Sequence, residues 1–333
     1  VPGRAARLAV LLFALNPFHV WYSQEGRGYA FLILFSLAAA WLYLDMVRRG
    51  PTVGRAILFA LAGTAAALGN LSALFLWAGM GLSLLVLDRP SNRRQWGPWI
   101  LGFGLAVVLV APWLLKASGI WAVDRALPGG TGEALRGATT FDPLALPYTV
   151  QTFLYGFSLG PSTAELHGPD RLEVVKAYAL LLGLGALPVG LGLLGSLGRP
   201  GRPLARLLLW ILVPAVILVF LAVRNIKPWN PRYVAMALPW ILIMVASGLT
   251  LWPRRAGFGL TIVLLGLTLW SLGNYYGNGR YAKADLRGAV AFVEAEDRAG
   301  DPVLVPSVTG VYIFYQQGLA RTIDSYGRPP LKT

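Results

Sequence analysis

Cysteine is absent from this chain, and histidine occurs twice only, at His19 and His167. Neither a disulfide framework nor thiolate chemistry is open to it, and two isolated imidazoles do not make a histidine-rich metal cluster. Charge is scarce too: 13% of the 333 residues are Asp, Glu, Lys or Arg, where a soluble domain carries about 25%. Acidic residues are the scarcer kind, 15 against 29 basic, for a net charge of +14. In a soluble protein that excess would point to nucleic acid. Here Lys and Arg fall mainly between apolar runs, where they set membrane orientation, and a nucleic-acid partner is not expected. The opening Val1-Pro2-Gly3-Arg4 has neither Met nor a signal-peptide pattern, which reads as a chain that begins partway through a protein.

What is present is apolar sequence, 56% of the chain. Its continuous runs predict about nine membrane-crossing helices, over residues 5–22, 29–47, 55–70, 72–87, 98–116, 174–197, 204–223, 232–251 and 257–273. The two around Gly69-Asn70 could instead form one re-entrant hairpin. A transmembrane β-barrel would alternate apolar and polar residues in short segments, so the fold class is all-α and polytopic. Arg4, Arg7, Arg48, Arg49, Arg55, Arg89, Arg93, Arg94, Arg199, Arg202, Arg206, Arg254 and Arg255 all fall in connections on one side. By the positive-inside rule that side is cytoplasmic. The opposite side then receives Ser23 to Tyr29, the turn at Gly69, the loop 117–173, the loop 224–231 and everything after Ser271. In a bacterium this is the outer face of the inner membrane.

Two domains are expected: a transmembrane helical domain over 1–273, and a partial extracytoplasmic α/β domain over 274–333. In the latter, Leu286, Ala289, Val290 and Val293 recur at helical spacing, and Val303-Leu304-Val305 reads as a short strand after the turn Gly300-Asp301-Pro302. Asp285 and Arg287 read as a helix N-cap with its first-turn pair. Within the long loop, Pro128-Gly129-Gly130-Thr131-Gly132 lacks the Lys-Ser/Thr and preceding strand of a phosphate loop, and reads as flexible. Leu144 to Phe157 is apolar and aromatic enough for an interfacial helix, with Tyr148, Phe153, Tyr155 and Phe157 at headgroup depth.

Two charged stretches stand out. Ser23-Gln24-Glu25-Gly26-Arg27-Gly28-Tyr29 is a polar heptad between two apolar runs. Arg27 either snorkels to water while Glu25 caps the next helix, or Arg27 and Gln24 meet an anionic or hydroxylated substrate while Glu25 orients a partner. Position alone does not decide, because charges at span ends cost little. The second stretch, Arg224 to Tyr233, puts Arg224, Lys227 and Arg232 on the outer side, against the positive-inside trend. They suit either headgroup attraction and a salt bridge to the long loop, or the phosphate of an anionic lipid. His19, beside Pro17 and Trp21, reads as an interfacial packing residue, and His167 stands alone.

Across Asn16-Pro17-Phe18-His19-Val20-Trp21-Tyr22-Ser23-Gln24-Glu25-Gly26-Arg27-Gly28-Tyr29 the chain resembles bacterial members of glycosyltransferase family 39. This is the group of protein O-mannosyltransferase-like and aminoarabinose-transferase-like membrane enzymes with the GT-C fold. Their pattern reads roughly Ser-Pro-x-x-x-Trp-Tyr-Ser-Gln-Glu-Ala-Arg-x-Tyr. Pro231-Arg232-Tyr233 with Leu238-Pro239, and Asp285-Leu286-Arg287-Gly288-Ala289 before Gly300-Asp301-Pro302-Val303, are similar to later pieces of the family. Gly26 and Gly28 stand where it more often has Ala and a larger residue, which implies a looser turn. Where many relatives carry a Thr-His pair, this chain has Gly69-Asn70-Leu71-Ser72.

The resemblance implies inverting transfer of a sugar from a polyprenyl-phosphate carrier to an acceptor hydroxyl on the outer face. The acceptor is a protein, a lipid or a glycan. The implied substrate-binding residues are Tyr22, Gln24, Glu25, Arg27, Tyr29, Arg224, Lys227, Arg232 and Tyr233, with the cations holding the phosphate. Neither a cofactor nor a metal is expected. The family's catalytic base is an acidic residue in its first external loop, which would lie ahead of Val1, so no residue here matches it and this stretch alone is expected to be inactive. Two other classes compete. A transporter or lipid flippase would bury charge at mid-span, whereas Asp45 sits near a cytoplasmic helix end. A non-catalytic scaffold leaves the cluster from Arg224 to Arg232 without a role.

Overall fold

Asn16-Pro17 interrupts the first apolar run. Proline has no N–H to continue a helix, and Asn16, in extended conformation, accepts the His19 N–H on its side chain at 2.8 Å and starts a new one. In this computed structural model the expected first span is therefore two helices, α1 (Gly3–Ala14) and α2 (Pro17–Ser23). At 1.5 Å per residue neither reaches the roughly 30 Å of a hydrocarbon core. The structure describes residues 3–126, 141–166, 170–224, 226–283, 285–296, 302–305 and 321–324. Pro128 to Gly132 and His167 lie outside them.

The helices that follow are α3 (Tyr29–Arg49), α4 (Val53–Gly69), α5 (Ala73–Val86), α6 (Arg93–Ala126), α7 (Ala145–Tyr155), α8 (Thr163–Leu166) and α9 (Arg171–Ala177). Then come α10 (Ala179–Leu197), α11 (Arg202–Val223), a 3-10 helix (Pro231–Ala237) running into α12 (Leu238–Leu249), and α13 (Arg254–Gly277). Among the described residues six stretches are long and apolar enough to cross a membrane: α3, Arg93–Lys116 of α6, α10, α11, Pro231–Leu249 and α13. This is the architecture of a polytopic membrane protein. Helices α4 and α5 fall short of that length. They are not a self-contained hairpin, since α4 packs mainly on α3 and α6 while α5 packs on α11.

Pro231–Leu249 is the central span, with 78% of its apolar window buried against 22–44% for the other five. Helices α1, α10 and α11 surround it. The α10–α12 contact is backbone on backbone: a Cβ on Gly248 would overlap the Gly192 carbonyl, and one on Gly195 would lie 2.7 Å from the Gly248 oxygen. Small residues allow this approach, and membrane helices use it because apolar burial alone does not separate helix contacts from lipid contacts. Gly248→Ala is therefore expected to cost about 1–3 kcal/mol as overpacking, read as a lower unfolding midpoint in detergent. Gly259→Ala, on an open face of α13, is expected to leave the midpoint where it is.

One end of the bundle carries most of the arginines, and acidic side chains tie down three of them. Asp45 pairs with Arg49 at 3.1 Å and Arg55 at 2.7 Å. Asp88 takes two hydrogen bonds from Arg206, at 2.5 and 2.7 Å, and one from the Tyr43 hydroxyl at 3.0 Å. Tyr43 also packs edge-on to Trp210, whose indole N–H donates to Ser83. This core joins α3, α5 and α11.

The chain divides into two units, 1–281 and 282–333. In the second, α14 (Leu286–Glu296) is capped by Asp285, whose carboxylate accepts the Gly288 N–H at 2.8 Å, and Val290 is its buried residue. Strands β1 (Pro302–Val305) and β2 (Arg321–Asp324) pair in parallel, Pro302 opposite Arg321.

Candidate functional site

The heptad leaves α2 and enters α3 at the end of the bundle opposite the paired arginines. Gly28 fits there for a steric reason: a Cβ on it would overlap the Gly69 carbonyl at the end of α4. The implied loosening of the turn is thus corrected, since Gly28 is a close-packing position and only Gly26 faces open space. Tyr22 and Tyr29 turn inward, 4% and 5% exposed, with ring centroids 5.0 Å apart. Gln24 and Arg27 stay exposed.

Glu25 is half-buried. Its Oε1 accepts the Trp21 indole N–H at 3.0 Å, while Oε2 is buried with no partner. It does not cap α3, whose N-terminus has no side-chain cap. Gln24 is held between two tyrosines of α13: Tyr275 donates to its Oε1 at 2.6 Å, and its Nε2 donates to the Tyr276 hydroxyl at 2.9 Å. Trp21 packs against Phe157 and Tyr275, with centroids 5.1 and 5.3 Å away.

The 3-10 helix brings the second stretch to the same end. Asn230 caps it by accepting the Arg232 N–H, and it packs on α3, α7 and α11. Lys227 Nζ sits 4.0 Å from the Tyr233 ring centroid, and the Arg232 guanidinium carbon sits 5.1 Å from it. Arg232 donates to the Tyr233 hydroxyl at 3.2 Å, and its Nε is buried without a partner. Neither cation makes an ion pair with a carboxylate among the described residues. Burial pushes the Tyr22 hydroxyl up from its ordinary value, the Glu25 charge adds to this, and the Arg232 charge opposes it. Arg224 is the exception: it follows α11, lies over Phe220 at 5.9 Å, and has no ion pair or ring contact with the cluster among the described residues.

Helix α7 forms one wall, which corrects the expected interfacial helix. Phe153 and Tyr155 are 1% and 0% exposed, and the Tyr155 hydroxyl donates to the Gly185 carbonyl at 2.8 Å. Asn16 Nδ2 reaches the Phe153 carbonyl at 2.7 Å, and Trp229 Nε1 reaches Thr149 at 3.0 Å. The apolar face therefore meets protein instead of headgroups. His19 stacks on Phe13 at 4.4 Å, as a packing residue does.

A polar strap holds the far wall. Asn274 donates to the Ser158 carbonyl at 2.9 Å, the Tyr281 hydroxyl donates to the Gly160 carbonyl at 2.6 Å, and Arg280 clasps Glu165 through both carboxylate oxygens. Hydrogen bonds from Arg280, then from the Ser162 hydroxyl and N–H, hold the Glu165 carboxyl down to about 2. A depressed carboxylate contributes stability above its ordinary value near 4.5 and loses it as pH falls through 2. The pair is more than a third exposed, so Glu165→Gln is expected to cost under about 1 kcal/mol at neutral pH. That difference from the parent chain should shrink between pH 4.5 and 2, measured by urea unfolding across the range.

Sequence reasoning did not assign Tyr275 and Tyr276. Their signal was a tyrosine pair closing the last apolar run, the pattern of an interfacial aromatic belt. Among the described residues there is no group of three or more metal-ligating side chains. No protein-family model, no curated protein and no solved structure matches the chain.

Proposed function

We propose that this protein is an integral-membrane glycosyltransferase, moving a sugar from a polyprenyl-phosphate donor to an acceptor hydroxyl at the heptad end. That end would be the outer face of a bacterial inner membrane, and the second unit an extracytoplasmic α/β domain. The observation that carries the reading is the pair of cations on Tyr233: Lys227 and Arg232 share one ring, without a carboxylate partner among the described residues. Like charges this close are stabilised by an anion between or beside them, and a buried guanidinium N–H without an acceptor is a phosphate donor in waiting.

A polyprenyl-phosphate sugar keeps its tail in lipid and its phosphate at the interface, so its site belongs at helix ends. In the reaction the acceptor oxygen bonds to the anomeric carbon as the bond from that carbon to the phosphate oxygen breaks, with inversion. The acceptor's proton goes to a carboxylate base, and the polyprenyl phosphate leaves with the charge that Lys227 and Arg232 offset. Glu25, committed to Trp21 through one oxygen, is assigned to binding.

The reaction is tested with membranes carrying the protein and decaprenyl phosphates labelled in the sugar. Loss of labelled sugar from the carrier, abolished by Arg232→Ala, is the expected outcome. Movement of the intact lipid between leaflets with no sugar released would replace the transferase reading with a flippase. Equal behaviour of the parent and Arg232→Ala proteins would favour a scaffold.

A further inference from the structure

Polar groups at the heptad end fall into two clusters of contacts. Lys227 and Arg232 lie about Tyr233, while Glu25 accepts from Trp21, whose ring packs on Tyr275, which in turn packs on Tyr276. Lys227 and Arg232 gather about one ring and Glu25 about a second group of rings, with no ion pair between Arg232 and Glu25, while Arg27 in the same heptad is exposed. The buried Oε2 of Glu25 is acceptor-only when ionised, so what it lacks is a donor. Trp21, the donor to the other Glu25 oxygen, packs on Tyr275, and Tyr276, 67% exposed, packs edge-on to Tyr275 at 4.8 Å, so an open aromatic surface continues from the Glu25 cluster.

Resting on the donor reading above, we infer that the site has a direction, with the phosphate at Lys227 and Arg232 and the sugar ring at a separate subsite formed by Glu25, Tyr275 and Tyr276. A hydroxyl is the group that suits the carboxylate, and the C–H face of a pyranose is the apolar surface that suits the tyrosines. Glu25 is then a specificity residue. A site built to accept a substrate hydroxyl discriminates strongly against the analogue without it, because its own polar atom is left unpaired. Gln24 is a positioning residue that holds the tyrosine pair through both of its amide atoms.

The test uses the full chain in lipid nanodiscs and equilibrium binding of two kinds of probe. One is bare decaprenyl phosphate; the other is a set of decaprenyl phosphates bearing glucose, mannose, galactose or arabinose. In the parent protein at least one sugar-bearing probe should bind about tenfold more tightly than the bare phosphate, the size of one good hydrogen bond to a charged group. In Glu25→Gln, and independently in Tyr276→Ala, that gap should close. Tyr276 is open to solvent, so its replacement does not endanger folding. If no sugar improves on bare phosphate, or if the gap persists in both variants, the subsite is wrong while the phosphate reading stands. If bare phosphate itself does not bind, both fall.

Discussion

Arg206→Met is expected to destabilise the bundle by about 3–5 kcal/mol, the cost of stranding a buried charge. The carboxylate it leaves behind, Asp88, is 1% exposed, and the guanidinium supplies two of its three hydrogen bonds. Tyr43 remains as one neutral donor, which does not replace a bidentate cation. The double variant Asp88→Leu with Arg206→Met should recover most of the loss, because replacing a buried pair with apolar groups is often close to neutral. Unfolding midpoints of the parent chain, the single variants and the double variant in one detergent measure this. Equal losses in the single and double variants would mean that the pair is not what holds α3, α5 and α11 together.

Arg232→Ala is the largest expected functional effect. Truncating one partner of a charge-assisted contact costs about 2–5 kcal/mol in binding, or about 30-fold and upward in Kd for decaprenyl phosphate. Two things set Arg232 apart from the other arginines. Its Nε is buried without an acceptor, and it shares the Tyr233 ring with Lys227. Arg232→Lys should recover only part of the affinity, since an ammonium keeps the charge but not the planar pair of donors. Arg224→Ala, remote from the cluster in contacts and exposed over Phe220, should change the affinity far less. A comparable loss at Arg224 would show general attraction of anions to a basic surface.

Much of this was legible in the sequence for a simple reason: charge between apolar runs is conspicuous, and the periodicity of the runs places their ends. The heptad and the stretch from Lys227 to Tyr233 could both be assigned to one side by counting arginines on the other. Pairing across the chain was not legible. Arg206 and Asp88 are 118 residues apart, and Gln24 meets Tyr276 across 252, distances over which composition says nothing about contact. Helix α7 shows a second limit. Apolar and aromatic faces look alike whether they meet lipid or protein, and only its packing against Phe18 and Gly185 settles which. The break at Asn16-Pro17 was written in the residues, but the apolar run on either side masked it.

Location is the central claim, because the opposite end of the bundle also carries arginines that could attract a phosphate. There, Arg55 and Arg206 are already matched by Asp45 and Asp88. The direct measurement is photo-crosslinking of the chain in nanodiscs with a decaprenyl phosphate bearing a diazirine near the phosphate, followed by peptide mapping. Adducts within Tyr22 to Tyr29 and Lys227 to Tyr233, suppressed by excess decaprenyl phosphate and not by decaprenol, are the predicted result. Adducts centred on Arg48, Arg49, Arg199 and Arg202, or equal suppression by the neutral alcohol, would contradict it.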